Sequence, residues 1–243
     1  MNGVGYGITP FMGTHGILAR SSGGGGVPFV NEYSLTFDGI SDYLNLDSKT
    51  QNFNDFSLSF WLVWGGGNYK TIVGSSVAEG GILWGIVQAG GTIRYYDNTS
   101  GWTILSSSIS DGNWHHILIT YDSTANTIKG YTDGSLSVTK TSVDPVYTTN
   151  EHSFDQIGAR LSTGFYNEKL DEITVWDSVI DIADVWDGSG IPIDLTSTNP
   201  VHWWRMGDGD GDPTWSTNLT DHGSGGINAT STMPPEARVT DVP

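Results

Sequence analysis

The stretch Asp111-Gly-Asn-Trp-His-His-Ile-Leu-Ile-Thr-Tyr-Asp122 decides the fold class. Trp114 to Tyr121 is a run of aromatic, β-branched and aliphatic residues. It is bounded by Asp-Gly-Asn on one side and Asp-Ser-Thr-Ala-Asn on the other, the pattern of a strand between turns. Alternation sends Trp114, His116, Leu118 and Thr120 to one face and His115, Ile117, Ile119 and Tyr121 to the other. Neither set reads as a solvent face, so the strand is expected inside a sheet with both faces covered. After the turn at Ser123 to Asn126, a second strand closes on Asp133-Gly134, a tight-turn pair. His115 and His116 point to opposite faces and so cannot share one site; hydrogen-bonded packing is expected of both.

The composition agrees with a β structure. Among 243 residues there are ten Trp, ten Tyr and 33 Gly with 15% charged residues, which suits short strands and Gly-bearing turns rather than helices. One sizeable sandwich core fits this length. The 27 acidic and 10 basic residues leave a net charge of -17, which excludes a nucleic-acid partner for want of clustered Lys and Arg. The acidic excess is read as solubility ahead of divalent-cation binding. Cysteine is absent, so no disulfide framework exists. No run is long and apolar enough for a membrane span, and the N-terminus has neither a basic n-region nor an apolar h-region, so no secretory signal is expected.

Turn signals recur about every ten residues along the chain, as in a sandwich or jelly roll. Strands are expected at Tyr33 to Phe37, Tyr43 to Leu46, Phe53 to Trp64, Lys70 to Gly74, Gly81 to Gln88, Thr92 to Tyr96 and Trp102 to Leu105. Edge strands are expected at Ser135 to Val143 and Asp155 to Gly158, one or two helical turns at Ile180 to Trp186, and a last strand at Thr198 to Met206 returning near the first.

Four segments in order carry a resemblance: Phe37-Asp-Gly-Ile-Ser-Asp-Tyr-Leu44, Phe56-Ser-Leu-Ser-Phe-Trp61, the opening stretch, and Leu170-Asp-Glu-Ile-Thr-Val-Trp176. Together they resemble the laminin-G-like jelly rolls of the concanavalin-A-like lectin/glucanase superfamily, over about Glu32 to Gly207. In the last segment, Glu168 or Lys169 stands where that family has Gly. The resemblance implies an all-β, two-sheet antiparallel jelly-roll sandwich at residues 31–207. Before it, residues 1–30 form a Gly-rich leader with Tyr6, Ile8, Phe11, Met12, Ile17 and Leu18. These apolar side chains would be a liability in a free tail, so the leader is read as an irregular anchoring arm that docks onto a neighbouring subunit ahead of the parent domain. Residues 208–243 are an acidic loop and a C-terminal tail packing on the domain or a neighbour.

Glucanases of the superfamily place three carboxylates alternately on one strand as Glu-x-Asp-x-Glu. Here Glu168-Lys-Leu-Asp171-Glu172 puts Leu170 in the middle place and turns Asp171 to the other face, so no enzyme activity is expected. The resemblance also implies that Asp38 and Asp171 approach each other, with the Gly39 carbonyl, as a structural calcium site. The competing reading has Asp38 capping a turn and Asp171 bonding backbone amides. Asp208-Gly-Asp-Gly-Asp212 is read as a solvated acidic turn, since Leu219 stands where an EF-hand needs Glu. Tyr69, Tyr95, Tyr96, Trp102 and Tyr166 are candidate sugar-stacking residues. The short Gly-armed chain with one such module looks like a virion protein of tailed bacteriophages, assembled in the host cytoplasm and released by lysis. Two functions are expected on that ground: a non-enzymatic, homo-oligomeric structural or decoration subunit of capsid or tail, or a receptor-binding lectin gripping host surface polysaccharide.

Overall fold

A computed structural model describes residues 29–76, 85–97, 101–141, 153–208, 218–231 and 233–243, without the side chains of Tyr96 and Asp97. The leader residues Tyr6, Ile8, Phe11, Met12, Ile17 and Leu18, and most of the Asp208–Asp212 loop, lie outside the described residues. The chain divides into two compact units, Met1–Val30 and Asn31–Pro243, and all the strands described belong to the second.

That unit is all-β, with two antiparallel sheets of eight strands each. Sheet A holds β1 (Ser34–Thr36), β3 (Phe56–Val63), β8 (Trp114–Asp122), β9 (Thr127–Thr132), β10 (Ser135–Thr141), β12 (Lys169–Trp176), β13 (His202–Trp204) and β16 (Arg238–Val239). Its order is β10-β9-β8-β3-β12-β1-β16, with β13 also paired to β12. Sheet B holds β2 (Leu44–Leu46), β4 (Asn68–Gly74), β5 (Gly85–Ala89), β6 (Thr92–Asp97), β7 (Gly101–Ile104), β11 (Gln156–Ile157), β14 (Asn218–Leu219) and β15 (Ala229–Ser231). Its order is β14-β15-β2-β11-β4-β5-β6-β7.

The opening stretch is an interior strand, as its two apolar faces require: β8 lies between β9 and β3 and is buried from His115 to Tyr121. Its inner face, with Ile117, Ile119 and Tyr121, joins Leu58, Phe60, Leu62, Ile173 and Trp204 in the core between the sheets. Its outer face is covered too. Trp61, Leu118, Trp176, Val185, Leu195 and Trp203 are buried outside the main core, and Trp186 stacks on Trp61 at 5.4 Å. The segment that supplies Val185 and Leu195 is pinned by the Ser57 hydroxyl donating to the Ser178 carbonyl at 2.7 Å and by Trp176 donating to Thr198 Oγ1 at 2.9 Å. Most of the tryptophan among the described residues therefore serves packing, and the Ile180–Trp186 turn is a short 3₁₀ helix at Ile182–Asp184 capped by Asp181.

One topological expectation is corrected, and the return of the Thr198 to Met206 strand near the first is met. β11 is an interior strand between β2 and β4, not an edge, because the turn at Gly158 folds the chain back under Tyr166. β13 pairs with β12, whose one edge holds β1 at Lys169–Leu170 and β13 at Ile173–Val175 in succession. The other neighbour of β1 is β16, from the C-terminal tail, which also supplies β14 and β15 to sheet B. Close approach governs one glycine: a Cβ on Gly130 of β9 would lie 1.7 Å from the Leu105 carbonyl oxygen, so no larger residue fits there.

Candidate functional site

The Gly65-Gly-Gly loop delivers the chain into β4 with Gly66 and Gly67 both left-handed. The β4–β5 ladder slips between Asn68 and Lys70, so Tyr69 is the extra residue of a β-bulge. Tyr69 takes φ 60, a conformation that costs a tyrosine energy unless the surroundings impose it. The clamps are visible: Asn68 Oδ1 accepts the Gly90 amide at 3.0 Å, and the Thr71 amide donates to the Gly164 carbonyl at 2.7 Å. The bulge turns the ring outward, where it keeps 48% of its surface exposed. There it meets Trp102 of β7, ring centroids 4.9 Å apart and planes inclined by 39°.

The ladder fixes what lies beside this pair. Arg94 faces Ile104, and Tyr96 faces Trp102, across β6 and β7; Ile93 and Tyr95 alternate inward to the core. The outer face of sheet B at this end thus carries Tyr69, Trp102, Ile104 (43% exposed) and Arg94. Arg94 donates through Nε to Thr92 Oγ1 at 3.2 Å, and its Nη nitrogens have no partner among the described residues. Two flat aromatic faces, an aliphatic neighbour and a forked donor can pack on the C–H face of a sugar ring while bonding its hydroxyls.

Of the five stacking candidates, the structure brings Tyr69 and Trp102 together. Tyr96 pairs with Trp102 along the backbone, its side chain outside the described residues. Tyr95 is a core residue, and Tyr166 is fully buried with its hydroxyl donating to the Val63 carbonyl at 2.6 Å. Burial pushes the Tyr166 phenol well above its usual range. Sequence reasoning missed Ile104 and Arg94; the period-2 alternation around Tyr95 placed them on the outer face, but nothing local marked that face as open.

The calcium residues separate. Leu35 pairs with Leu170 and the Phe37 amide donates to the Glu168 carbonyl. Asp171 therefore lies level with Ser34, and Asp38 is roughly four strand residues away, on the order of 13 Å. Asp38 spends its carboxylate on its own turn, accepting the amides of Ile40, Ser41 and Asp42 at 2.8, 2.9 and 3.0 Å. Its slight burial works the other way, but these amide bonds hold its carboxyl below the ordinary value. The Gly39 carbonyl accepts Lys70 Nζ at 3.4 Å. These three groups do not fit one shared ion, and no group of three or more His, Asp or Glu among the described residues is arranged to hold a metal.

Asp171 instead heads a buried cluster. The β3–β12 ladder slips between Asp171 and Thr174, and Glu172 takes φ 49. That bulge turns Glu172 away from the Leu170 face expected by alternation and onto the outer side, where Trp203 Nε1 and Arg205 Nε (3.2 Å) donate to it. Asp171 accepts Asn31 Nδ2 at 3.0 Å and the Glu172 amide at 2.8 Å. Asp208 accepts the Glu32 amide at 3.0 Å and the Tyr33 amide at 3.2 Å, tying the entry of β1. Burial holds all three carboxyls above the ordinary range, Asp171 well above it and Glu172 at about 7. The glucanase arrangement of alternating, accessible carboxylates is not what these residues make.

The two adjacent histidines face apart. His116 is buried against Trp61 and Trp186, 2.7 Å from Ser59 Oγ, and burial pushes it down to about 4. His115 bridges Asp133 at 2.7 Å and Asp111 at 2.9 Å, and the bond to Asp133 first, with that to Asp111, raises it above its ordinary value.

A family profile described as the concanavalin A-like lectin/glucanases superfamily matches residues 38–186, more than half of the chain. No curated protein matches it by sequence. Among solved structures, a protein of Bacteroides ovatus proposed to bind carbohydrate superposes with TM-score 0.60 at 14% identity, over 85% of this chain and 59% of its own. This chain therefore spans well under two thirds of that protein. Domain 4 of an extracellular arabinanase of Geobacillus stearothermophilus, solved in complex with arabinotriose, superposes with TM-score 0.50 at 18% identity over 66% and 79%. The extracellular region of zebrafish Gpr126 gives TM-score 0.51 at 10% identity over 87% and 26%. At these identities the likeness is one of fold.

Proposed function

The chain belongs to the concanavalin A-like lectin/glucanases superfamily, and from that premise we propose that it is a carbohydrate-binding module without catalytic activity. Its contact is the outer face of sheet B at Tyr69 and Trp102. The observation that carries this reading is Tyr69 itself, a tyrosine held in a left-handed bulge with half its surface bare and its ring set against an indole. Backbone strain spent on exposing an aromatic ring has no role in packing the core, and it is the arrangement that stacking on a pyranose or furanose face requires. Catalysis is not part of the reading, because Asp171 and Glu172 are buried and committed to Asn31, Trp203 and Arg205.

The ligand class is a surface polysaccharide. Fluorescence titration with bacterial surface polysaccharides and arabino-oligosaccharides should find at least one binder whose affinity falls in Trp102→Ala. The reading fails if no glycan binds, or if the variant binds as well as the parent. The same incubations should release no reducing ends.

A second level of the proposal concerns attachment. The apolar residues Tyr6, Ile8, Phe11, Met12, Ile17 and Leu18 within a Gly-rich leader favour an arm that holds the module, as a homo-oligomer, to a phage capsid or tail and presents it to a host glycan. Deleting residues 1–30 should leave sugar binding intact and abolish incorporation into particles. Unchanged incorporation would remove the virion reading while leaving the lectin.

A further inference from the structure

One row of sheet B crosses six strands, from Asn45 and Gln156 over Gly74 and Gly85 to Tyr96 and Trp102. It faces away from the core, because its neighbours along the chain, Leu44, Ile157, Ile86 and Tyr95, belong to the core. The two glycines leave a gap in the row, and Arg160 lies in it. A Cβ on Gly74 would come 2.9 Å from Arg160 Cβ, and one on Gly85 3.1 Å from Arg160 Cδ. The turn that lays Arg160 there is strained. Arg160 and Thr163 exchange backbone bonds at 3.0 and 2.9 Å, and between them Leu161 and Ser162 take φ 52 and 50, where a hairpin ordinarily uses Asn or Gly. Buried Gln156 imposes this by accepting the Ser162 amide at 3.1 Å, and Ser75 by accepting the Leu161 amide at 2.9 Å. Neither left-handed residue packs the core, and Leu161 stays 39% exposed. What the strain achieves is an arginine laid across the sheet.

The charge on this face is opposite to that of the chain. Of the five arginines, Arg205 bonds Glu172, and Arg238 donates to the Gly207 carbonyl at 3.0 Å with its guanidinium over the Tyr33 ring. Arg94 and Arg160 both stand on the outer face of sheet B. The adjoining row of that face holds Thr71, Val87, Arg94 and Ile104, and neither row contains a carboxylate, in a chain with 27 acidic residues. Arg94 is diagonal to Trp102 in the ladder, ~7–8 Å away. Gly85, under Arg160, is two strands from Trp102, on the order of 10 Å. Two guanidinium-bearing side chains are thus within reach of sugar units adjoining the aromatic pair. A formal net charge of -17 repels a polyanion at long range, so an anion can be held only by such local forks.

We infer that the glycan read by sheet B is a uronate-bearing polysaccharide, its carboxylates taken by Arg160 and Arg94 while a sugar ring rests on Tyr69 and Trp102. The inference rests on the sheet B contact proposed above and adds to it the charge of the ligand. A guanidinium presents paired N–H donors in the plane of the two carboxylate oxygens, a match that a single hydroxyl does not offer. Arg160 is a specificity-determining residue in this reading, and the Gly74–Gly85 gap and the left-handed turn at Leu161 and Ser162 are the means by which it is placed.

The test is calorimetric titration of the full chain with polygalacturonate, alginate and hyaluronate, each beside its methyl ester, which keeps the backbone and removes the charge. At least one acid should bind about tenfold or more tighter than its ester. Arg160→Met, which keeps an apolar stem on the glycines, should bring that ratio down to about threefold or less. Arg94→Met should lower it in the same sense, and decides the matter if thermal melts show Arg160→Met to be poorly folded. Equal affinity for acid and ester, or an unchanged ratio in the folded variants, overturns the inference. Failure of all three acids overturns it as well; a neutral arabinan that binds, and is lost in Trp102→Ala, then leaves the sheet B contact standing. Binding of dextran sulfate with no uronate bound also counts against it, since the anion read would not be a carboxylate.

Discussion

Replacing Tyr69 by Gly and, separately, by Ala separates binding from folding at one position. Both substitutions remove the ring. Glycine alone accepts φ 60 without strain, whereas alanine keeps the Cβ clash. The left-handed conformation costs an L-residue about 1–2 kcal/mol. Glycine loses about 0.5–1 kcal/mol more than alanine through the freedom of its unfolded chain. The glycine variant should therefore be the more stable of the two by about 1 kcal/mol, or roughly 2–4 °C in Tm for a domain of this size. Affinity should not follow that order. Fully burying a large apolar side chain is worth about 1.5–3 kcal/mol, and 48% of Tyr69 is bare, so covering it by a sugar contributes about 1 kcal/mol. Each variant should then bind about fivefold more weakly, to the same extent. Because the rings of Tyr69 and Trp102 lie 4.9 Å apart, adding Trp102→Ala should cost less than the sum of the single effects. Urea unfolding followed by tryptophan fluorescence, beside calorimetric titration with the glycan, reads both quantities. An alanine variant as stable as the glycine variant would refute the imposed left-handed bulge, and unchanged affinity in both would refute the contact.

The remaining predictions concern the scaffold. Gly130→Ala sets a Cβ 1.7 Å from the Leu105 carbonyl oxygen and should cost about 3 kcal/mol or more, read as a lower urea midpoint. Stability should rise as pH falls from 8 to about 6.5: Asp171, Glu172 and Asp208 have native pKa values above their unfolded ones, so the native state binds more protons there and loses stability as pH rises. Below about 6.5 His116, which burial pushes down to about 4, opposes them, because its native form takes up fewer protons than the unfolded one. His115, raised above 6.5, acts in the same sense, its contribution complete below that pH and lost as pH rises through its native value. Below pH 4 the trend should reverse as Asp38 and Asp221, both held low by hydrogen bonds in the native state, protonate. Glu172→Gln should flatten the slope between pH 4.5 and 7 in thermal melts, and an unaltered slope would contradict the burial argument. Calcium and chelator should give the same Tm, since Asp38 and Asp171 do not share an ion; a rise of several degrees with calcium would restore that pair as a site.

The fold was legible because its pattern is local: period-2 runs between Asp-Gly and Gly-rich turns mark each long strand, and β8 announced its two covered faces. Strand partners were less so. Nothing in Thr198 to Met206 distinguishes a place beside β1 from one farther along β12, and β16 is two residues long. Tyr69 and Trp102 were recognisable as aromatic residues near turns, but Tyr95 and Tyr166 have the same local signature and are core. Only the assembled sheet tells an outward ring from an inward one. Glu172 is the sharper case, since a bulge moved it to the opposite face and no residue type in the motif encodes that slip.

The central claim is that sugar meets the outer face of sheet B. Hydrogen exchange of the full chain, with and without a binding glycan, maps this directly. The account predicts slowed exchange in residues 68–71 and 101–104 around Tyr69 and Trp102. Protection confined to other surfaces, or none at saturating glycan, would contradict it.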